Sequence, residues 1–272
     1  MAFVADLRMV LHGWMRPGKT CAMSNAENFF LEAMDILGSK QQIGLVRADS
    51  GFCFDNVLGL FENKSLNYVV ATRVFKTLRR KISGLSDWVE LPGGIAASEL
   101  MHQAEGWAKP RRVVVVRHTA HKSQEQTQLL FDVPGYTYSI YVTNLDFPPA
   151  EVWRLYLGRA DSENRIKELG EDFGMRGFVV NNFWGTEAAF RSVLLAYNLF
   201  ALFRQTTLEG SGNKRLSTLR FECIAIGATL GREGRKKVLR LSVVGPKREW
   251  IRGLFSTIDK LDSPWNLKQQ AV

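Results

Sequence analysis

The chain has little cysteine and little histidine. Of its 272 residues, three are cysteines (Cys21, Cys53, Cys223) and four are histidines. The cysteines are odd in number, widely spaced and free of any CxxC pair, which argues against a disulfide framework or a structural zinc site. His118 and His121 share an HxxH spacing, but no cysteine or carboxylate cluster accompanies them. On a strand they would face opposite sides, so a surface loop is expected there rather than a metal site. Long apolar runs are missing as well. The longest, residues 193–203, is interrupted by Asn198 and is too short to cross a bilayer, and residues 1–20 lack a basic-then-apolar signal pattern. These absences predict a soluble, unexported, cytoplasmic protein. There is no internal repeat and no low-complexity segment, and before Glu27 the only acidic residue is Asp6.

What is present points to a folded, polyanion-binding protein. A hydrophobic content of 46% is enough to bury the core of one large domain or two modest ones. The formal charge of +9 is concentrated at one end: residues 210–272 hold 13 Lys or Arg against 5 Asp or Glu. Such a segment suits nucleic acid, because cations that neutralise phosphates release condensed counterions; a solvated basic tail is the plainer reading.

Along the chain, residues 3–14 read as a strand, or two joined near Asp6, stopped by Arg16-Pro17-Gly18. Ser24 with Glu27 makes a capping box for a helix carrying Phe29, Phe30, Ala33, Met34 and Leu37 at helical spacing, and Gly38 ends it. The apolar run Ile43-Gly44-Leu45-Val46 reads as a buried strand that delivers Arg47-Ala48-Asp49-Ser50-Gly51 at its carboxyl end. Residues 56–63 predict a helix and 68–72 a strand. Between residues 75 and 147 the turn Pro92-Gly93-Gly94 and the strand-like runs 113–116 and 136–142 suggest an antiparallel insertion. Two helices follow, over residues 150–170 and 186–207, with the aromatic link 178–184 between them. That link either fills a core or stacks on an extruded base. The expected division is therefore residues 1–74 as the first part of an α/β core, 75–147 as a β-rich insertion, 148–209 as the helical second part, and 210–272 as a basic tail beginning at the Gly210-Ser211-Gly212-Asn213 linker.

Two places offer chemistry. Asp49 ends a predicted strand, where open α/β folds place ligands, although an Asp before Ser-Gly is also a good turn former. Tyr156, Arg159 and Glu163 fall at i, i+3 and i+7 and would share one face of a continuous helix; an ordinary charged helix with pairs such as Glu163–Lys167 is the alternative.

The string Arg47-Ala48-Asp49-Ser50-Gly51-Phe52, the Tyr-x2-Arg-x3-Glu pattern of Tyr156, Arg159 and Glu163, and Gly158-Arg159-Ala160-Asp161-Ser162-Glu163-Asn164-Arg165 resemble the DDE transposases of bacterial insertion sequences. The likeness extends to residues 9–18, 182–203 and Lys247-Arg248-Glu249-Trp250. It implies an RNase H-like fold with a β-rich insertion before the last catalytic helix, and a triad of two Asp and one Glu holding Mg²⁺ or Mn²⁺ for DNA strand cleavage and transfer. By this resemblance Asp49 and Glu163 are two of the ligands. Tyr156 and Arg159 contact DNA phosphates, and the partner is double-stranded DNA at element ends, bound by a homodimer. The chain departs from the family in two ways. The first Asp of the triad belongs to a strand preceding residues 2–14, so the chain is expected to be truncated at that strand, inactive alone and poorly soluble; Asp6 is expected to be structural or solvated. The family's lysine seven residues after the Glu is replaced by Gly170, and Lys167 is expected to cover the same phosphate. Alternatives are a catalytically dead DNA-binding remnant and a metal-dependent nuclease of related fold.

Overall fold

The valine run of residues 113–116 lies in the middle of a six-stranded sheet and sends alternate side chains to opposite faces, as the two-residue period of a strand requires. Val113 and Val115 pack with Val70, Ile140 and Val142 on one face. Val114 and Val116 pack with Val69, Ala97 and Tyr141 on the other. The computed structural model describes residues 1–18, 20, 24–119, 136–178, 180–208 and 214–261. The chain divides into two units, Arg16–Glu163 and Met1–Met15 with Asn164–Val272.

The first of these units holds the sheet. Its strands are β3 (Val46–Ala48), β4 (Tyr68–Ala71), β5 (Val89–Leu91), β6 (Ile95–His102), β7 (Arg111–Thr119) and β8 (Tyr136–Thr143), in the spatial order β3-β4-β8-β7-β6-β5. β3 and β4 are parallel and every other pair is antiparallel. Helices α1 (Ala26–Leu37), α2 (Asp55–Asn63) and α3 (Lys76–Ser83) cover one face, through Ala26, Phe61 and Ile82 among others, and α4 (Pro149–Leu157) covers the other through Val152. This is the mixed α/β arrangement that the sequence predicts. The expected turn at Pro92-Gly93-Gly94 joins β5 to β6, with both glycines at positive φ (86° and 72°), where a Cβ would be strained.

Three local expectations need correction. The strand expected over residues 43–46 instead spans Val46–Ala48, because its pairing starts where β4 starts: Val46 sits opposite Tyr68, and the Val46 N–H donates to the Asn67 carbonyl at 2.8 Å. It is an edge strand rather than a doubly buried one. Helix α1 is capped one residue later than the Ser24 box predicts. Asn25 occupies the cap in the left-handed region (φ 58°), which asparagine tolerates, and makes no side-chain cap bond. The single helix expected over residues 150–170 is two, α4 and α5 (Ala160–Glu171), with a turn at Gly158 and Arg159.

A buried ion network ties α2 to the sheet. Arg111, 4% exposed, donates through Nε and Nη2 to both oxygens of Glu62 (2.7 and 3.1 Å) and through Nη1 to Asp55 (2.7 Å). The Tyr68 hydroxyl donates to Glu62 at 2.9 Å and Lys109 pairs with it at 3.1 Å. Burial alone would raise the Glu62 carboxyl, but the hydrogen bonds from Arg111, Lys109 and Tyr68 outweigh it and hold the group down from its ordinary 4.5 to about 2. A carboxylate whose folded value is depressed stabilises the fold above its unfolded value, and that contribution disappears as pH falls from about 4.5 to about 2. We expect a loss on the order of 2 kcal/mol in this window, after allowing for partial solvent screening. Urea titrations from pH 6 to 2.5 would measure it, and the Glu62→Gln chain should be less stable at pH 6 with a much flatter dependence.

In the second unit, β1 (Ala2–Val4) and β2 (Met9–His12) form an antiparallel hairpin with Asp6 exposed in its turn. The open edge of β2 is closed by Asn198 of α6 (Phe183–Thr207): its Oδ1 accepts from the Val10 N–H and its Nδ2 donates to the Val10 carbonyl, both at 2.8 Å. The polar residue that interrupts the longest apolar run thus serves as a strand partner. Helix α6 begins three residues before the expected start, because the Asn182 side chain accepts from the Gly185 N–H at 2.6 Å. Leu195, Leu199 and Leu202, spaced at i, i+4 and i+7 on it, are exposed. The unit also includes α7 (Leu216–Leu219), the hairpin β9 (Ala228–Glu233) and β10 (Lys236–Leu241), and α8 (Pro246–Lys260), with Leu219, Ile251 and Leu254 in its core. The linker at residues 210–213 lies outside the described residues.

Candidate active site

Strand β3 ends at Ala48 and hands Asp49 to a short 3₁₀ turn, Ser50–Phe52, whose first residues it caps: Oδ1 accepts the Gly51 N–H at 2.9 Å. The cap fixes one carboxylate oxygen and leaves the other, Oδ2, facing Arg159. Arg159 follows α4 in the turn before α5. Its Nη2 donates to Asp49 Oδ2 at 3.2 Å and its Nη1 to Glu163 Oε1 at 2.8 Å. One guanidinium therefore joins two carboxylates that lie 114 positions apart in sequence, with Glu163 in the first turn of α5, where the helix dipole favours negative charge. The Asp49 and Glu163 side chains are 47% and 64% exposed, so both can be reached by a ligand.

Tyr156, on the last turn of α4, packs against Tyr141 of β8 with ring centroids 4.4 Å apart and planes tilted by 45°, and the Arg159 guanidinium carbon lies 5.9 Å from the centre of its ring. Burial pushes the Tyr156 phenol up, and the nearby Asp49 and Glu163 charges add to this against the opposing pull of Arg159. The phenol is therefore a hydrogen-bond donor at neutral pH. Burial would lower the Arg159 guanidinium, but Tyr156, Glu163 and Asp49 raise it further, so its charge is permanent.

The structure thus brings together four of the five site residues predicted from sequence, and a broken helix rather than a continuous one presents them. Glu163 pairs backward with Arg159, not forward with Lys167. Lys167, exposed one turn further along α5, makes no ion pair among the described residues. Gly170 is buried beneath Arg176, and a Cβ there would come within 2.7 Å of the Arg176 Nε, so no side chain fits at that position unless Arg176 moves.

Among the described residues no three His, Cys, Asp or Glu side chains cluster as a metal site. Asp49 and Glu163 nevertheless fit part of one. Their oxygens are the hard donors that Mg²⁺ or Mn²⁺ takes, and Mg²⁺ is commonly held by one or two carboxylates completed by water and substrate phosphate. Both already converge on a single cationic group, Arg159. His118 packs against Trp153 at 5.8 Å, and burial lowers its pKa; its HxxH partner His121 lies outside the described residues. Phe178 joins the core beside Leu169 and Tyr197, whereas Trp184 is 75% exposed on the first turn of α6.

One contributor that the sequence pattern does not single out is Arg47. Its Nη1 donates to the Leu155 carbonyl at 3.0 Å, beside Gly158. The available signal is Gly158 itself, a poor helix former inside a helical pattern.

The family model described as transposase DDE domain, group 1, matches residues 1–263. Comparison with curated proteins gives no match.

Proposed function

The chain belongs to the DDE transposase family, transposase DDE domain group 1, and on that premise we propose that it derives from a bacterial insertion sequence and that Asp49, Arg159, Glu163 and Tyr156 form its DNA strand-transfer site. The observation that carries this reading is the convergence of the Asp49 and Glu163 carboxylates on one guanidinium. A mixed sheet flanked by helices is consistent with the RNase H-like core of such enzymes.

Asp49 and Glu163 would hold the divalent metal that the family generally uses, which when bound stabilises charge on the attacking and leaving oxygens of an in-line displacement. Arg159 has the planar fork that grips a phosphate in two places, and contact with DNA would draw it from the carboxylates toward the phosphodiester. Tyr156 keeps its proton and can donate a hydrogen bond to a neighbouring phosphate oxygen. Lys167 offers a further charge along α5.

Nicking of supercoiled plasmid by the purified chain in Mn²⁺, with a chelator control, tests the reading. Cleavage without end joining would favour a nuclease instead. Salt-sensitive DNA binding with no cleavage would mark the chain as a binding remnant, a reading that fits the engagement of both carboxylates by Arg159. A cytoplasmic location and a homodimer on DNA complete the proposal.

We assign DNA contact in the basic segment to the β9–β10 hairpin. Arg232, Arg235, Lys236 and Lys237 at its tip are exposed and make no ion pair among the described residues; the hairpin's Glu233 is bound to Arg240. Arg232 and Lys237 sit directly opposite each other, a like-charge pairing that an anion would relieve. A two-stranded ribbon also fits the major groove. Changing these four residues to glutamine is expected to weaken plasmid binding at least tenfold near 0.15 M salt. The log–log salt slope should fall by about 0.9 for each phosphate that is no longer neutralised. An unchanged slope, measured by fluorescence anisotropy, would remove the hairpin from the interface.

A further inference from the structure

Helix α4 and helix α5 would be one helix if the backbone bonds around Gly158 followed the i to i−4 rule. In that case the Arg159 N–H would donate to the Leu155 carbonyl. It donates instead to Tyr156, three residues back, at 2.8 Å, and the Leu155 carbonyl accepts from Arg47 Nη1 at 3.0 Å. The Arg47 side chain also fills the space that a residue larger than glycine would need at 158. A Cβ built there would overlap Nη1 and lie 3.2 Å from Cζ. Arg47 sits two positions before Asp49, has no carboxylate partner among the described residues and makes no other hydrogen bond there.

We propose that Arg47 is a positioning residue: it takes the Leu155 carbonyl, breaks the helix at Gly158, and so sets Arg159 across Asp49 and Glu163. In this arrangement the strand that carries Asp49 also dictates the path of the segment that carries Arg159, so the two halves of the site are brought into register by one guanidinium–carbonyl bond. Gly158 is the complementary half of the device: a methyl there would meet Arg47 Nη1, and the guanidinium would have to shift from the Leu155 carbonyl to admit it. The inference rests on the reading of Arg159, Asp49 and Glu163 as the site, but the wedge itself can be tested without any DNA chemistry.

The test is a cycle of Gly158→Ala, Arg47→Ala and the double variant in the full chain. Gly158→Ala is expected to lower the melting temperature in the wild-type background, where the new methyl meets Arg47. It should raise the melting temperature in the Arg47→Ala background, where alanine only improves helix propensity. The same sign in both backgrounds overturns the wedge. A crystal structure of the double variant is expected to have α4 running into α5 with Arg159 withdrawn from Asp49, and an intact Arg159–Asp49 pair there overturns the positioning role. In Mn²⁺-dependent nicking, Arg47→Ala should lower kcat at least tenfold with KM within threefold of wild type, and Arg47→Lys, which keeps one donor for Leu155, should recover part of the loss. Wild-type kcat in the Arg47→Ala chain contradicts the proposal. A wild-type chain that does not nick DNA counts against the function proposed above, and the melting cycle and the variant structure then decide the wedge.

Discussion

Replacing Arg111 with alanine is expected to destabilise the sheet-bearing unit by about 3–5 kcal/mol, the cost of breaking a buried pair by removing one partner. The magnitude follows from what is left behind. Glu62 and Asp55 lose three charged hydrogen bonds from a residue that is 4% exposed, and the Tyr68 hydroxyl remains pointed at a carboxylate that only Lys109 still balances. The Trp107 ring, 5.2 Å from the Arg111 guanidinium carbon, loses its cation as well. Against a total stability of roughly 5–15 kcal/mol this is a large fraction. Chemical denaturation followed by circular dichroism measures it. Adding Glu62→Gln to the Arg111→Ala chain should cost much less than Glu62→Gln costs alone, because the charge left unpaired is removed with it. A loss below about 1 kcal/mol for Arg111→Ala would mean that water replaces the network freely.

Arg159→Ala should separate stability from chemistry. The ion pairs it removes involve carboxylates that are 47% and 64% exposed, and pairs of that kind contribute about 0–1 kcal/mol, so melting should barely change. Strand cleavage should fall about 10²–10³-fold, the usual effect of deleting one preorganised donor to developing charge. Arg159→Lys keeps the charge but loses the two-armed fork that now reaches Asp49 and Glu163 together, and an intermediate rate is expected. Single-turnover nicking at saturating Mn²⁺, beside thermal melts, makes the comparison. A wild-type rate for Arg159→Ala would restrict the guanidinium to holding the carboxylates in the absence of DNA.

Features that depend on neighbouring residues could be read from the sequence. The β-branched run of residues 113–116 marked a strand, Pro92-Gly93-Gly94 marked the turn that has two positive φ angles, and Gly38 ended α1 with its N–H on the Met34 and Asp35 carbonyls. Features set by distant partners could not. The start of β3 follows from the register of β4, twenty-two positions on. Asn198 looked like an interruption because its partner, Val10, is 188 positions away. The candidate site divides along the same line. The residue types at 49, 156, 159 and 163 were visible as a pattern, but the spacing of the last three implied one helix face. The face is interrupted because Arg47, 108 positions before Leu155, takes a carbonyl that the helix needs, and periodicity within a window carries no trace of such a bond.

The most direct test of the central claim is Mn²⁺-dependent nicking of supercoiled plasmid by the wild-type chain beside Asp49→Ala and Glu163→Ala. Against the inactivity expected from the sequence, the account predicts cleavage that each substitution lowers by about three orders of magnitude, the several kcal/mol that a lost metal ligand removes from transition-state stabilisation, with folding unchanged. Cleavage that survives both substitutions would contradict it.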